Sequence, residues 1–272
     1  MTGPTTTIRS TGTVVGSWRA TWLVIEGLWT WYRRSWRATV VSSVLQPVLM
    51  LLALGFGFGS QVQPGDATGG LRYVAYLAPA LLVSGAIQNA GGESTYPVLS
   101  AFKWQKTYWG VVATPISPGQ LLSGQLLWIA LRLLGSGAVY LAIAALFGAV
   151  TGPGVLLSLL FAVLAGMAFC APVVAFSASR DDDGQGFAGL FRFVVMPMTL
   201  FAGTFFPISQ LPAWVRPLAW LTPVWHGNEL ARGAAFGTLR PLATLGHVGY
   251  LVALLVAGAL LACRLFRRRL AV

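Results

Sequence analysis

Six long apolar runs, at about 38–59, 72–92, 121–148, 155–178, 187–206 and 243–263, limit what this chain can fold into. Crossing roughly 30 Å of hydrocarbon takes about 20 helical residues, and each run supplies that many. In lipid a backbone must satisfy its own hydrogen bonds, and long runs without alternation do so as helices rather than as barrel strands. Composition agrees, with 56% hydrophobic and 9% charged residues. A soluble domain carries about a quarter charged residues, so a soluble globular fold is excluded. The expected fold is an all-α polytopic membrane protein with six transmembrane helices.

The charges orient it. With both termini cytoplasmic, twelve of the 18 Lys and Arg residues fall inside, four fall outside, and Arg132 and Arg192 lie within runs. Cytoplasmic loops carry the excess of Lys and Arg, so this orientation is expected. The net charge of +11 comes from residues at the ends of apolar runs. It therefore suits anionic lipid headgroups and topology rather than nucleic acid. The expected organisation is a cytoplasmic tail and amphipathic helix over 1–37, a transmembrane domain over 38–263 and a basic cytoplasmic tail over 264–272. No cleavable secretory signal is expected at the start.

Before the first run, Trp18, Trp22, Ile25, Trp29, Tyr32 and Trp36 share one face of a helix, with Arg19, Glu26, Arg33 and Arg37 beside them. An aromatic stripe against a charged one predicts a helix lying in the headgroup layer, anchored by Trp18, Trp22, Trp29, Arg33 and Arg34. The 207–242 connection is apolar yet broken by Pro207, Pro212, Pro217 and Pro223, which predicts short helices packed on the outer end of the bundle.

Catalytic signatures are sparse. Cys170 and Cys263 lie far apart in apolar runs, without metal-ligand spacing. Neither lysine follows a glycine as a phosphate-binding loop requires, so the chain itself is expected to hydrolyse no ATP. "RDDDGQG" at 180–186 could hold a divalent ion, but adjacent carboxylates point in different directions and no second acidic motif accompanies them. His226 and Glu229, three residues apart on an outer helix, read as a hydrogen-bonded pair rather than an acid/base couple. Arg132 sits deep in the third run, where a charge marks a pathway or a subunit seam. Arg192 lies close enough to its run's inner end to snorkel.

The remaining oddity is "ESTYPVLSAFKWQKTYWGVVATPISPGQ", residues 93–120, the longest inner connection and the only one holding lysines. It resembles the cytoplasmic coupling segment of type 2 ABC exporter permeases, a charged helix followed by an "ATP-hydrophobe-S" turn, here Ala113-Thr114-Pro115-Ile116-Ser117. "ESTY" at 93–96 and "QKTY" at 105–108 look like the lipooligosaccharide-exporting branch typified by nodulation-factor permeases. Residues 197–232, "PMTLFAGTFFPISQLPAWVRPLAWLTPVWHGNELAR", resemble that family's fifth span and outer hairpin. Daunorubicin-type drug exporters share much of this pattern.

The resemblance implies a dimer of permease chains, self or sister, docked on two cytoplasmic ABC ATP-binding subunits. Those subunits would use ATP and Mg2+, and this chain would bind no cofactor or metal. Lys103, Trp104, Gln105, Lys106, Thr107, Tyr108, Thr114 and Pro115 would contact the ATPase. Arg132, Arg192, Phe201 and Phe205 would line the pathway or the seam. The expected activity is export of a lipid-like, lipid-linked saccharide or hydrophobic drug-like molecule across the bacterial plasma membrane. Two other readings stay open: a membrane prenyl- or phospho-transferase using Asp181, Asp182 and Asp183, and an assembly protein that transports nothing.

Overall fold

The computed structural model describes residues 16–57, 72–150 and 152–270. The tail with Arg9, the 58–71 connection and the last two residues lie outside that set, as does the side chain of Trp36. Among the described residues every regular element is helical. Four helices are long and apolar enough to cross a membrane: Tyr73–Lys103, which contains α2 (Tyr73–Ser94) and α3 (Tyr96–Lys103), then α5 (Pro118–Leu146), α6 (Val155–Ala178) and α11 (Pro241–Leu270). The short α4 (Thr107–Val112) follows α3.

The first and fifth apolar runs take less regular forms. The helix α1 (Ser17–Met50) is continuous, so the aromatic segment and the start of the first run form one rod with no break near residue 37. At 1.5 Å per residue it extends about 51 Å. It passes into a π-helical stretch, Leu51–Gly57. The fifth run is assembled from α7 (Gln185–Leu190), a π-helical turn Phe191–Val195 and α8 (Met196–Phe201), 17 residues in all. Pro197 cannot donate the bond that would close an α-turn onto Phe193, and wider π-turns commonly absorb such a lapse. Gly203, at φ +79°, then ends the helical path well short of residue 206.

The core is α2 and α6, wrapped by α5, α10 (Pro223–Phe236) and α11. α2 is buried along nearly its whole length, from Val74 to Ile87. Small residues set the helix spacings. A Cβ on Gly258 of α11 would stand 2.4 Å from Pro172 Cδ of α6, and one on Gly124 of α5 would stand 2.6 Å from Val24 Cβ of α1. Backbones in membrane bundles approach closely where a side chain is missing, since burial from water drives little association there.

Helix ends follow local chemistry. Ser117 and Gln120 close a capping box at the start of α5, with Pro118 in the first turn. Thr222 caps α10, and Gly237, at φ +67°, ends it while the Thr238 N–H donates to Gly233 O at 2.9 Å. The expected outer hairpin is a 3-10 turn at Ile208–Gln210, then α9 (Arg216–Trp220) and α10.

Candidate functional site

One end of the bundle carries α3 and α4, the 179–184 loop and the last turn of α11. The two short helices join at Lys106, whose φ of +53° is the only positive value at a non-glycine position among the described residues. That left-handed joint turns the chain sharply. It leaves Trp104, Gln105, Lys106 and Thr107 exposed, along with Thr114 and Pro115 in the following turn. Trp104 is 51% exposed and Trp109 38%.

Two of the residues expected to face a partner are engaged within the chain. Tyr108 is buried, packed edge-to-face on Phe102 at 4.8 Å and against Phe266 of α11 at 5.5 Å. Lys103 is partly covered, and its Nζ donates to Asp183 Oδ1 and to Asp181 O, each at 2.9 Å. The Asp181–Asp183 cluster is knitted into ion pairs rather than gathered around a common centre. Asp181 meets Arg269 and Asp182 meets Arg180, both at 3.2 Å. No group of three metal-ligating side chains occurs among the described residues.

Arg132 is only 14% exposed and makes an ion pair with Glu93, the penultimate residue of α2. Its guanidinium also lies 4.8 Å over the Tyr32 ring. The aromatic stripe of α1 turns toward α5 here: Trp29 and Tyr32 pack against Trp128 at 6.2 and 5.5 Å. Between the two helices a cavity of about 670 Å³ is lined by Trp22, Glu26, Trp29, Tyr32, Trp128 and Arg132. Trp18, Arg33 and Arg34 stay exposed.

A second cavity, about 240 Å³, lies between α1, α2 and the fifth-run segment, with Gln46, Gln88, Thr199 and Phe205 in its wall. Gln46 donates to Gln88 at 2.7 Å. Phe201 lines a different pocket, beside α6, α9 and α11. Arg192 is exposed. Arg132, Phe201 and Phe205 thus line three different cavities, and Arg192 faces outward.

The opposite end holds polar groups that reading the sequence missed. Arg232 reads as a loop charge, yet its guanidinium lies 4.0 Å over Tyr76 and donates to Gly203 O at 2.6 Å and Thr204 O at 2.8 Å. Asn228 donates to Ala202 O at 3.1 Å, so two side chains of α10 hold the turn that ends α8. The four-residue spacing that puts Asn228 and Arg232 on one helix face was visible beforehand. His226 does not pair with Glu229. Its Nδ1 lies 2.8 Å from Nδ1 of His247, and its Nε2 lies 2.9 Å from Trp220 O. The Tyr250 ring stacks on it at 4.0 Å. Burial pushes the His226 imidazole down to about 4.

The described residues thus form an apolar helical bundle, with exposed aromatic and basic residues at one end and a prolyl hairpin folded onto the other, as a membrane protein would. The chain belongs to the ABC-2 type transporter family, whose pattern matches residues 19–236. It is 31% identical over 255 residues to Nodulation protein J of Sinorhizobium fredii, covering 89% of this chain and 94% of that protein. Nodulation protein J of Bradyrhizobium diazoefficiens is 30% identical over 252 residues, with 89% and 94% covered. Inner membrane transport permease YadH of Escherichia coli is 24% identical over 258 residues, with 91% and 96% covered. The chain is thus a membrane permease subunit of an ABC transporter, and its family implies partnership with ATP-binding subunits.

Proposed function

We propose that the chain is one half of a dimeric ABC exporter, docked by its α3–α4 platform on cytoplasmic ATP-binding subunits. It would carry an amphipathic molecule, lipid-linked saccharide or hydrophobic drug, outward across the bacterial plasma membrane. In this reading α1 and the 185–201 segment complete six crossings, both termini are cytoplasmic, and the second permease copy is self or sister. ATP and Mg2+ belong to the partner subunits.

The observation that carries the reading is the platform itself. Trp104, Gln105, Lys106 and Thr107 project at a left-handed joint, with Trp109, Thr114 and Pro115 beside them. Exposed tryptophans grouped with a cation on a sharp helical joint suit a surface that another protein covers. The cavity between α1 and α5 supports an amphipathic cargo, since its wall combines three tryptophans and Tyr32 with the charged Glu26 and Arg132.

The test is co-purification in detergent with candidate ATP-binding subunits, reading ATPase activity on the complex. Wild type is compared with a Trp104→Ala, Lys106→Gly double variant. Tyr108 stays untouched because it is a core residue. A wild-type complex that the double variant loses supports the reading. A monodisperse wild-type chain that binds no such subunit ends it.

A further inference from the structure

The sequence leaves "RDDDG" without a role, and the docking platform alone does not say how its motion would reach the helices. The two fit together. The helix α3 is tied to the 180–184 loop at both ends. At its start the Tyr96 ring packs edge-to-face on Phe187 of α7 at 5.0 Å, and the Tyr96 hydroxyl donates to Gly184 O at 3.4 Å. At its end Lys103 grips Asp181 O and Asp183 Oδ1. The same loop is fastened to α11. Arg269 meets the Asp181 carboxylate, donates to Ala178 O at 2.8 Å and lies 4.6 Å over the Phe102 ring of α3. Asp182 shapes the loop from within, paired with Arg180 and accepting from the Gly184 N–H at 3.0 Å.

We infer that Asp181 and Asp183 are positioning residues of the docking segment. Through them, and through Tyr96 and Phe187, a push on α3 is passed to α7 and to the end of α11. The inference rests on the docking reading above.

The argument is mechanical. Buried Phe187 stands at the start of the segment that turns through the π-helical stretch Phe191–Val195 and ends at Gly203. If α3 moves with these contacts intact, α7 follows; if α7 stays, they must break. Asp183 and Asp181 are 71% and 93% exposed, and ion pairs in water hold only weakly. A weak, directional link can change partners in each cycle without endangering the fold. Lys103 is then oriented by the loop rather than offered directly to the ATPase.

The test is a charge swap in the complex of full-length chain and ATPase subunit, reconstituted in liposomes. Asp183→Lys alone is expected to leave the complex intact and to lower coupled ATPase activity about threefold to fivefold, in keeping with a weak exposed pair. Lys103→Asp alone should act similarly, and the two together should restore most of the loss. Should Asp183→Lys fold poorly, Asp183→Asn with Lys103→Gln in a double-mutant cycle gives the same reading. Single variants that match wild type, or a swap worse than either single change, overturn the inference while leaving docking in place. Failure of wild type to bind any ATPase subunit removes the docking reading instead.

Discussion

Arg132 and Glu93 form an ion pair in which each partner's loss strands the other. Their side chains are 14% and 21% exposed, and Arg132 lines the cavity between α1 and α5. At an effective dielectric near 20, two unit charges about 4 Å apart attract by about 4 kcal/mol. Part of that is offset by desolvation of both groups, and part by residual access to water. Replacing Arg132 with Leu leaves a carboxylate without its counter-charge, and Glu93→Gln leaves the guanidinium with the Tyr32 ring and a neutral amide but no counter-charge. Breaking a fully buried pair costs about 3–5 kcal/mol; with this exposure each single change should cost about 2–3 kcal/mol. The double variant should cost about the same as either single, since no orphaned charge remains. The coupling energy is then about 2 kcal/mol, far above the few tenths by which independent sites depart from additivity. Equilibrium unfolding of the four proteins in mixed detergent micelles measures it. Costs that simply add, with a coupling below about 0.5 kcal/mol, would refute the claim that this pair acts as a unit.

Other expectations follow from particular contacts. Gly258→Ala should destabilise by about 1–3 kcal/mol, because its Cβ would stand 2.4 Å from Pro172 Cδ, whereas Gly249→Ala on the same helix meets nothing within 4 Å and should be neutral or slightly stabilising in a thermal melt. Tyr108→Ala should lose about 3–5 kcal/mol and yield poorly folded protein on size-exclusion chromatography, because the ring is sandwiched with Phe102 and Phe266. Lys106→Gly should hold or raise the melting temperature, since glycine accepts φ +53° without the cost of a side chain, while it weakens co-purification with the ATPase. The outer hairpin should be acid-sensitive. The unfolded His226 ring takes a proton near 6.5 and the folded ring resists it to about 4, so this stabilisation is complete above 6.5 and is lost progressively as pH falls from there to about 4. Melting curves from pH 7.5 to 4.5 should show that loss, and a His226→Gln variant should show a flatter profile.

The sequence displayed the helices whose apolar runs no proline or glycine breaks. The second, third, fourth and sixth runs correspond to α2, α5, α6 and α11, because apolar length suffices to specify a rod in lipid. It was less informative where a proline or glycine acts inside an apolar run. The fifth run reads as 20 even residues, yet Pro197 and Gly203 divide it into two short helices, a π-turn and a tight bend. The helix α1 shows the converse: two compositions, aromatic-charged and apolar, sit on one unbroken helix, and no proline falls where they meet, the first in the helix being Pro47 near its end.

Side-chain partners were harder to read, for a physical reason. Lys103 looked like a surface cation because it stands in the most polar stretch, but its partners lie 78 and 80 residues away, and no periodicity reports such a distance. Glu93 and Arg132 likewise sit on different helices, and each alone suggests only that some counter-charge exists. What the sequence did contain was the necessity of pairing. A guanidinium within an apolar run must find an acceptor or a ring, and the chain supplies few carboxylates to choose from, seven in all. Three of those seven lie in the 181–183 loop, and all three are paired, with Lys103, Arg180 and Arg269. In a chain this poor in acidic residues, the carboxylates at the docking end tie α3, the 180–184 loop and α11 to one another, whereas Glu93 anchors the Arg132 guanidinium beside the cavity.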